Sequence, residues 1–175
     1  MGKSLLFNQL LGTHRAIVTD IPGTTRELLR DEVMLAGVPC QLIDSPGLLD
    51  FYEEVPFLAQ IIQEADLLLF VVDGKEEIGR KELDIHQIIL HEGKFAQTVL
   101  VVNKLDSKVY TKQLPTLLAP RYELGYDQIM PTSAMQREGI EELREKVFSE
   151  LKALVKTQPK QPEKAEGSIV DLAII

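Results

Sequence analysis

The chain has 175 residues, 45% hydrophobic and 26% charged, which suits one globular domain with a sizeable core and leaves no need for a second full domain. Asp and Glu number 27 against 19 Lys and Arg, a net charge of −8 that excludes a polyanion binder held by net charge, although a local basic patch stays open. The single cysteine, Cys40, excludes an intrachain disulfide, and no apolar run approaches the roughly 18 residues that span a bilayer, so the expectation is a cytoplasmic protein with no membrane partner.

Gly2-Lys3-Ser4 runs directly into the apolar helical stretch Leu5 to Leu11. This is the second half of a phosphate-binding loop. Backbone N–H groups at the helix start, that of Leu5 among them, face an anion, Lys3 reaches the β- and γ-phosphates, and the Ser4 hydroxyl ligates Mg²⁺. The full pattern is G-x-x-x-x-G-K-[ST] after a buried strand, and only Met1 stands before Gly2. Alone the tripeptide is weak, because it occurs by chance on many surfaces.

The stretch from Gly12 to Glu27 carries Pro22-Gly23 and Thr24-Thr25 and reads as a long functional loop. Glu32 to Leu35 and Val38 to Ile43 read as a hairpin turning at Ala36-Gly37. Asp44-Ser45-Pro46-Gly47 closes its second strand, and a helix is expected from about Pro56 to Ala65. Leu67 to Val72 is an all-apolar run ended by Asp73-Gly74, the pattern of a parallel strand buried on both faces. An amphipathic helix from Glu82 to His91 follows, then a second all-apolar strand, Val99 to Val102, leading into Asn103-Lys104-Leu105-Asp106. Leu114 to Leu118 lies on a helix expected to stop at Pro120; Ile129-Met130-Pro131 is a short strand before Thr132-Ser133-Ala134; and Ile140 begins a helix through about Lys152. Alternating strands and helices specify an α/β fold: a mostly parallel sheet with helices on both faces and one antiparallel edge strand from the hairpin.

Four short signals therefore sit in fixed order at strand ends. Asp44 can hold the Mg²⁺ water shell, and Gly47 lets its N–H approach a γ-phosphate closely; the ordinary alternative is a strand-ending turn. Thr25 completes the metal site from the loop, with Thr24 an equivalent competitor. In Asn103-Lys104-x-Asp106 the carboxylate can accept from N1–H and the exocyclic amine of guanine, a donor pair that adenine lacks; the bland readings are a helix N-cap and a solvated lysine. Ser133-Ala134 completes the set. Cys40 reads as a small core hydrophobe, and His14, His86 and His91 make no metal-ligand spacing.

With these motifs the chain resembles an Era-like GTPase of the translation-factor class, and most nearly the first G domain of the EngA (Der) family. The matching stretches are Gly2 to Asn8, Ala16 to Arg26, Glu64 to Gly74 and Val101 to Asp106. The resemblance covers roughly residues 2 to 153. It implies a P-loop NTPase G domain binding GTP and GDP with Mg²⁺, with Lys3, Thr25 and Gly47 in hydrolysis, Ser4, Thr25 and Asp44 at the metal, and Gly2, Lys3, Ser4, Leu5, Asn103, Lys104, Asp106, Ser133 and Ala134 on the nucleotide. It also implies a ribosomal subunit or rRNA partner reached through the parent protein, and a second G domain in that chain. The family's Asn linked to potassium-assisted hydrolysis belongs to the missing front of the loop, so K⁺ enters as a cofactor through the resemblance only. Asp-Ser-Pro-Gly is nearer Era than EngA, and Leu48 stands where Ras-like proteins place a water-orienting Gln. The alternatives are a nucleotide-dependent partner-binding module without hydrolysis and an inactive fragment.

The organisation expected is a G domain over 1–155 lacking its first strand, a polar linker over 156–168, and an apolar strand over 169–175 resembling the start of a second G domain. A sheet without that first strand has a slot between the strand ending at Ile43 and the strand Leu67 to Val72. Unpaired buried backbone costs about 1–3 kcal/mol per group. Val170 to Ile174 is therefore expected to insert there as a parallel central strand, bringing Ile175 near Met1.

Overall fold

A computed structural model describes residues 2–11, 29–44, 51–106, 113–157 and 169–175; of Ser4, residues 29–31, Asp44 and residues 51–54 it describes the backbone alone. The elements are α1 (Lys3–Leu11), β1 (Leu29–Leu35), β2 (Val38–Asp44), α2 (Phe51–Glu64), β3 (Leu67–Asp73), α3 (Arg80–His91), β4 (Thr98–Asn103), α4 (Leu114–Tyr122), β5 (Ile129–Pro131), α5 (Ile140–Thr157) and β6 (Val170–Ile174).

They form one sheet of order β1-β2-β6-β3-β4-β5, antiparallel only between β1 and β2. The hairpin turns through Ala36 and Gly37 at φ 51° and 81°, as a two-residue loop matched to strand twist requires. The two all-apolar runs are the buried centre. Leu67, Leu69 and Val71 of β3 face a core built with Leu6 and Leu10 of α1 and Leu143, Val147 and Leu151 of α5. Leu68, Phe70 and Val72 face the other, with Leu58, Ile61 and Ile62 of α2, Ile85 and Ile89 of α3, and Leu118 of α4. Strand alternation thus supplies both faces of the sheet with apolar side chains.

The tail inserts as expected. β6 runs parallel to β2, with Cys40 opposite Val170 and Asp44 opposite Ile174, and parallel to β3, with Leu67 opposite Leu172. Its ends are bonded too: Asp66 N–H donates to the Asp171 carbonyl at 2.8 Å, and Val71 N–H to the Ile175 carbonyl at 2.8 Å. Val170, Leu172 and Ile174 join the first core and Ala173 and Ile175 the second. The expected approach of Ile175 to Met1 involves a residue outside the described ones.

Several boundaries differ from expectation. Pro120 does not stop its helix, which continues to Tyr122 because Leu118 and Arg121, on either side of the proline, are both buried and anchor it. α2 starts at Phe51, so that Pro56 stands inside the helix, where it lacks the N–H that would bond the Tyr52 carbonyl. α3 starts at Arg80, where the Glu82 carboxylate accepts the Gly79 N–H at 3.1 Å, half of a capping box. α5 runs on to Thr157, into the segment expected to be linker; residues 158–168 lie outside the described ones.

Candidate nucleotide site

Because β2, β6, β3, β4 and β5 are parallel, their last residues line one edge: Asp44 opposite Ile174, Asp73 opposite Asn103, and Val102 opposite Pro131. The C-terminal edge of such a sheet is where α/β folds bind ligands. The start of α1 reaches it as well. Gly2 has φ +76°, and a Cβ there would sit 3.1 Å from Asn103 Nδ2, so glycine permits the approach of the helix N-terminus to that side chain. Lys3, in the first turn, is buried.

Asn103 ties the edge together. It is 1% exposed, and its Oδ1 accepts the Ala134 N–H at 3.0 Å and the Thr132 hydroxyl at 3.3 Å. Leu105 N–H donates to the Thr132 carbonyl at 3.0 Å. Ser133 is fixed by exchange with Glu138: its N–H donates to the Glu138 carbonyl at 2.9 Å and its carbonyl accepts the Glu138 N–H at 3.1 Å. That small loop closes through Gly139 at φ +68°, where a Cβ would lie 2.3 Å from the Pro131 carbonyl oxygen. Asn103, Ser133 and Ala134, 30 residues apart in sequence, are thus brought into one hydrogen-bonded unit.

The loops after β3 and β4 are laced just as closely. Gly74 N–H donates to the Asn103 carbonyl at 2.7 Å, and a Cβ on Gly74 would stand 2.6 Å from Leu105 Cδ2. Lys104, at φ 68°, places its Nζ 2.5 Å from Asp73 Oδ2, while Asp73 Oδ1 accepts the Lys75 N–H at 3.0 Å. Burial pushes the Asp73 carboxyl up, but the Lys104 and Lys75 hydrogen bonds and the Lys104 charge outweigh it and hold the group below the usual carboxylate range. The Asp73 hydrogen bond raises Lys104 in turn. Lys75 Nζ lies 2.8 Å from Asp106 Oδ2. Arg121, 3% exposed, donates to the carbonyls of Asp73 at 2.9 Å and of Glu76 and so grips the β3 loop from α4.

Lys75 and Arg121 were not singled out from sequence, and Thr132 was named only as the residue before Ser133-Ala134. A charged residue two positions past a strand, or inside a helix after a proline, carries no local signal of what it will touch. Of the expected site residues, Thr25 and Gly47 lie outside the described residues, as does the competitor Thr24; Ser4 and Asp44 are placed by backbone alone, in the first turn of α1 and at the end of β2. The oxygen donors of Ser4 and Asp44 are of the hard kind that suits Mg²⁺. Among the described residues no cluster of three or more His, Cys, Asp or Glu could hold a metal by itself, and no helix is long and apolar enough to cross a membrane.

A family model described as "50S ribosome-binding GTPase" matches residues 1–104. Among curated proteins, the chain is 35% identical over 154 residues to tRNA modification GTPase MnmE of Clostridioides difficile, covering 85% of this chain and 32% of that protein. It is 32% identical over 177 residues to GTPase Der of Kosmotoga olearia, covering 97% of this chain and 39% of that protein. The chain therefore spans 32% to 39% of the length of these relatives. A crystal structure of an Aquifex aeolicus Era variant bound to GDP and AlF4⁻ superposes with a TM-score of 0.65 at 26% identity, over 96% of this chain and 55% of that one. The bacterial dynamin GTPase LeoA shares the fold alone, at TM-score 0.57 and 21% identity.

Proposed function

The chain belongs to the 50S ribosome-binding GTPase family, and we propose on that footing that it binds guanine nucleotide at the sheet edge and hydrolyses GTP as a switch domain of a ribosome-assembly GTPase. The observation that carries the reading is Asn103 of the Asn-Lys-x-Asp turn, whose buried side chain bonds the Thr132 to Ala134 loop and lies against the glycine that opens α1.

In this reading the Asp106 carboxylate accepts from the guanine N1–H and amine, with Asn103, Lys104, Ser133 and Ala134 shaping the base pocket. Gly2, Lys3, Ser4 and Leu5 present the helix N-terminus and an ammonium to the phosphates. Phosphoryl transfer to water asks for positioning and charge neutralisation rather than a covalent step, so Lys3, Thr25 and the Gly47 N–H act on charge developing at the γ-phosphoryl oxygens. Ser4, Thr25 and Asp44 would hold Mg²⁺, which when bound would supply charge neutralisation there; K⁺ is a further cofactor to be tested. β6 stands where the strand leading into the phosphate loop would stand, and its apolar sequence also resembles the first strand of a second G domain. The partner of the longer protein is a ribosomal subunit or rRNA, in the cytoplasm.

The test is Asp106→Asn. Losing charge-assisted bonds worth about 1.5–3 kcal/mol each should weaken GDP about a hundredfold or more and improve XDP, whose extra carbonyl meets the amide NH₂. Unchanged preference in a competition assay would remove the base-reading assignment. Measuring phosphate release separately from GTP affinity separates a hydrolase from a module that only binds.

A further inference from the structure

The two loops at the base end of the site exchange ion pairs reciprocally. Lys104 of the β4 loop reaches back to Asp73 at 2.5 Å, and Lys75 of the β3 loop reaches across to Asp106 at 2.8 Å. We propose that Lys75 is a positioning residue for base recognition: it orients the Asp106 carboxylate so that both oxygens face the guanine edge. This rests on the base-reading role given to Asp106 above.

The foundation beneath Lys75 is more rigid than a surface lysine needs. Its N–H is held by Asp73 Oδ1 at 3.0 Å, and the residue on one side, Gly74, is bonded to the Asn103 carbonyl at 2.7 Å. The carbonyl of the next residue, Glu76, accepts from the buried Arg121. Gly74 allows the loops to approach, since any side chain there would strike Leu105 and the Asn103 carbonyl. The Lys75 stem therefore leaves a fixed point, on a loop tied to the loop that carries Asp106.

Stability does not explain the pair. The Lys75 side chain is 52% exposed and that of Asp106 35%, and an ion pair so placed contributes little to folding. Orientation is different. A carboxylate turns in a broad, two-fold torsional well, whereas guanine presents two donors side by side that need both oxygens in one plane. Lys75 engages Oδ2 alone, and an oxygen has a second lone pair, so the contact fixes the plane and still leaves that oxygen able to accept from the base.

The experiment compares GDP with IDP, which keeps N1–H and lacks the exocyclic amine, by competition titration of the full chain carrying Lys75→Met, Lys75→Arg and the original residue. A tilted carboxylate loses the bond that only GDP makes, so Lys75→Met should narrow the GDP/IDP affinity ratio about threefold to tenfold, and Lys75→Arg should restore most of it. A merely structural role would lower both affinities together and leave the ratio alone. A ratio unchanged or widened in Lys75→Met, or no rescue by Lys75→Arg, overturns the proposal. If Asp106→Asn switches preference toward XDP while Lys75→Met leaves the GDP/IDP ratio intact, base reading stands and the positioning role falls.

Discussion

Replacing Leu172 by Ala tests whether the tail is a true central strand. Leu172 is 1% exposed, stands opposite Leu42 on β2 and Leu67 on β3, and belongs to the core that α1 and α5 cover. With neighbours on both sides in the sheet and helices above, the site cannot collapse to fill the lost volume, and such truncations cost about 2–5 kcal/mol. For a domain of this size each kcal/mol lowers the melting temperature by about 2–4 °C, so a fall of about 5–15 °C is expected. Ile169→Ala is the matched control, because Ile169 is 48% exposed and immediately precedes β6; its effect should stay within about 0.5 kcal/mol. Thermal unfolding followed by circular dichroism measures both, and hydrogen exchange adds an independent reading: amides of Val170 to Ile174 should be protected as long as those of β3. Equal melting temperatures for the two variants, or fast exchange across Val170 to Ile174, would refute a central strand.

Gly139→Ala should destabilise the Ser133 to Glu138 loop by roughly 1–3 kcal/mol, since φ +68° is unfavourable for alanine and its Cβ would press on the Pro131 carbonyl; a chemical denaturation midpoint within error of the original chain would contradict this. His86 is buried against Phe95 and Tyr126, with Nδ1 2.9 Å from the Tyr126 hydroxyl, and burial lowers its pKa. The unfolded chain then binds the proton more readily than the folded one, so stability is undiminished above the unfolded value near 6.5 and declines as pH falls below it. Urea midpoints at pH 8 and pH 5.5 should differ less in His86→Gln than in the original chain, and an equal difference would rule out this histidine as the source.

The amino-acid sequence by itself determined what is local. Leu67 to Val72 and Val99 to Val102 announce strands buried on both faces because every residue is apolar, and a parallel sheet follows because helical periods separate them. The order of Asp44, Asn103 to Asp106 and Ser133-Ala134 at strand ends, with Gly2-Lys3-Ser4 opening a helix, made one edge legible as a candidate site, since parallel strands deliver their last residues to the same side. Even the β6 insertion could be read, because a place between two strands buried on both faces can be filled only by an apolar segment. Tertiary structure alone decided the rest. Pro120 reads as a helix stop until burial of Leu118 and Arg121 outweighs one lost backbone bond. Arg121 meets the Asp73 carbonyl across 48 positions and Lys75 meets Asp106 across 31, contacts that no window of neighbouring residues encodes. A charged side chain reveals its partner only when the packing of β3, β4 and α4 has set which loops lie within its reach, because that placement follows from core burial and not from the residue itself.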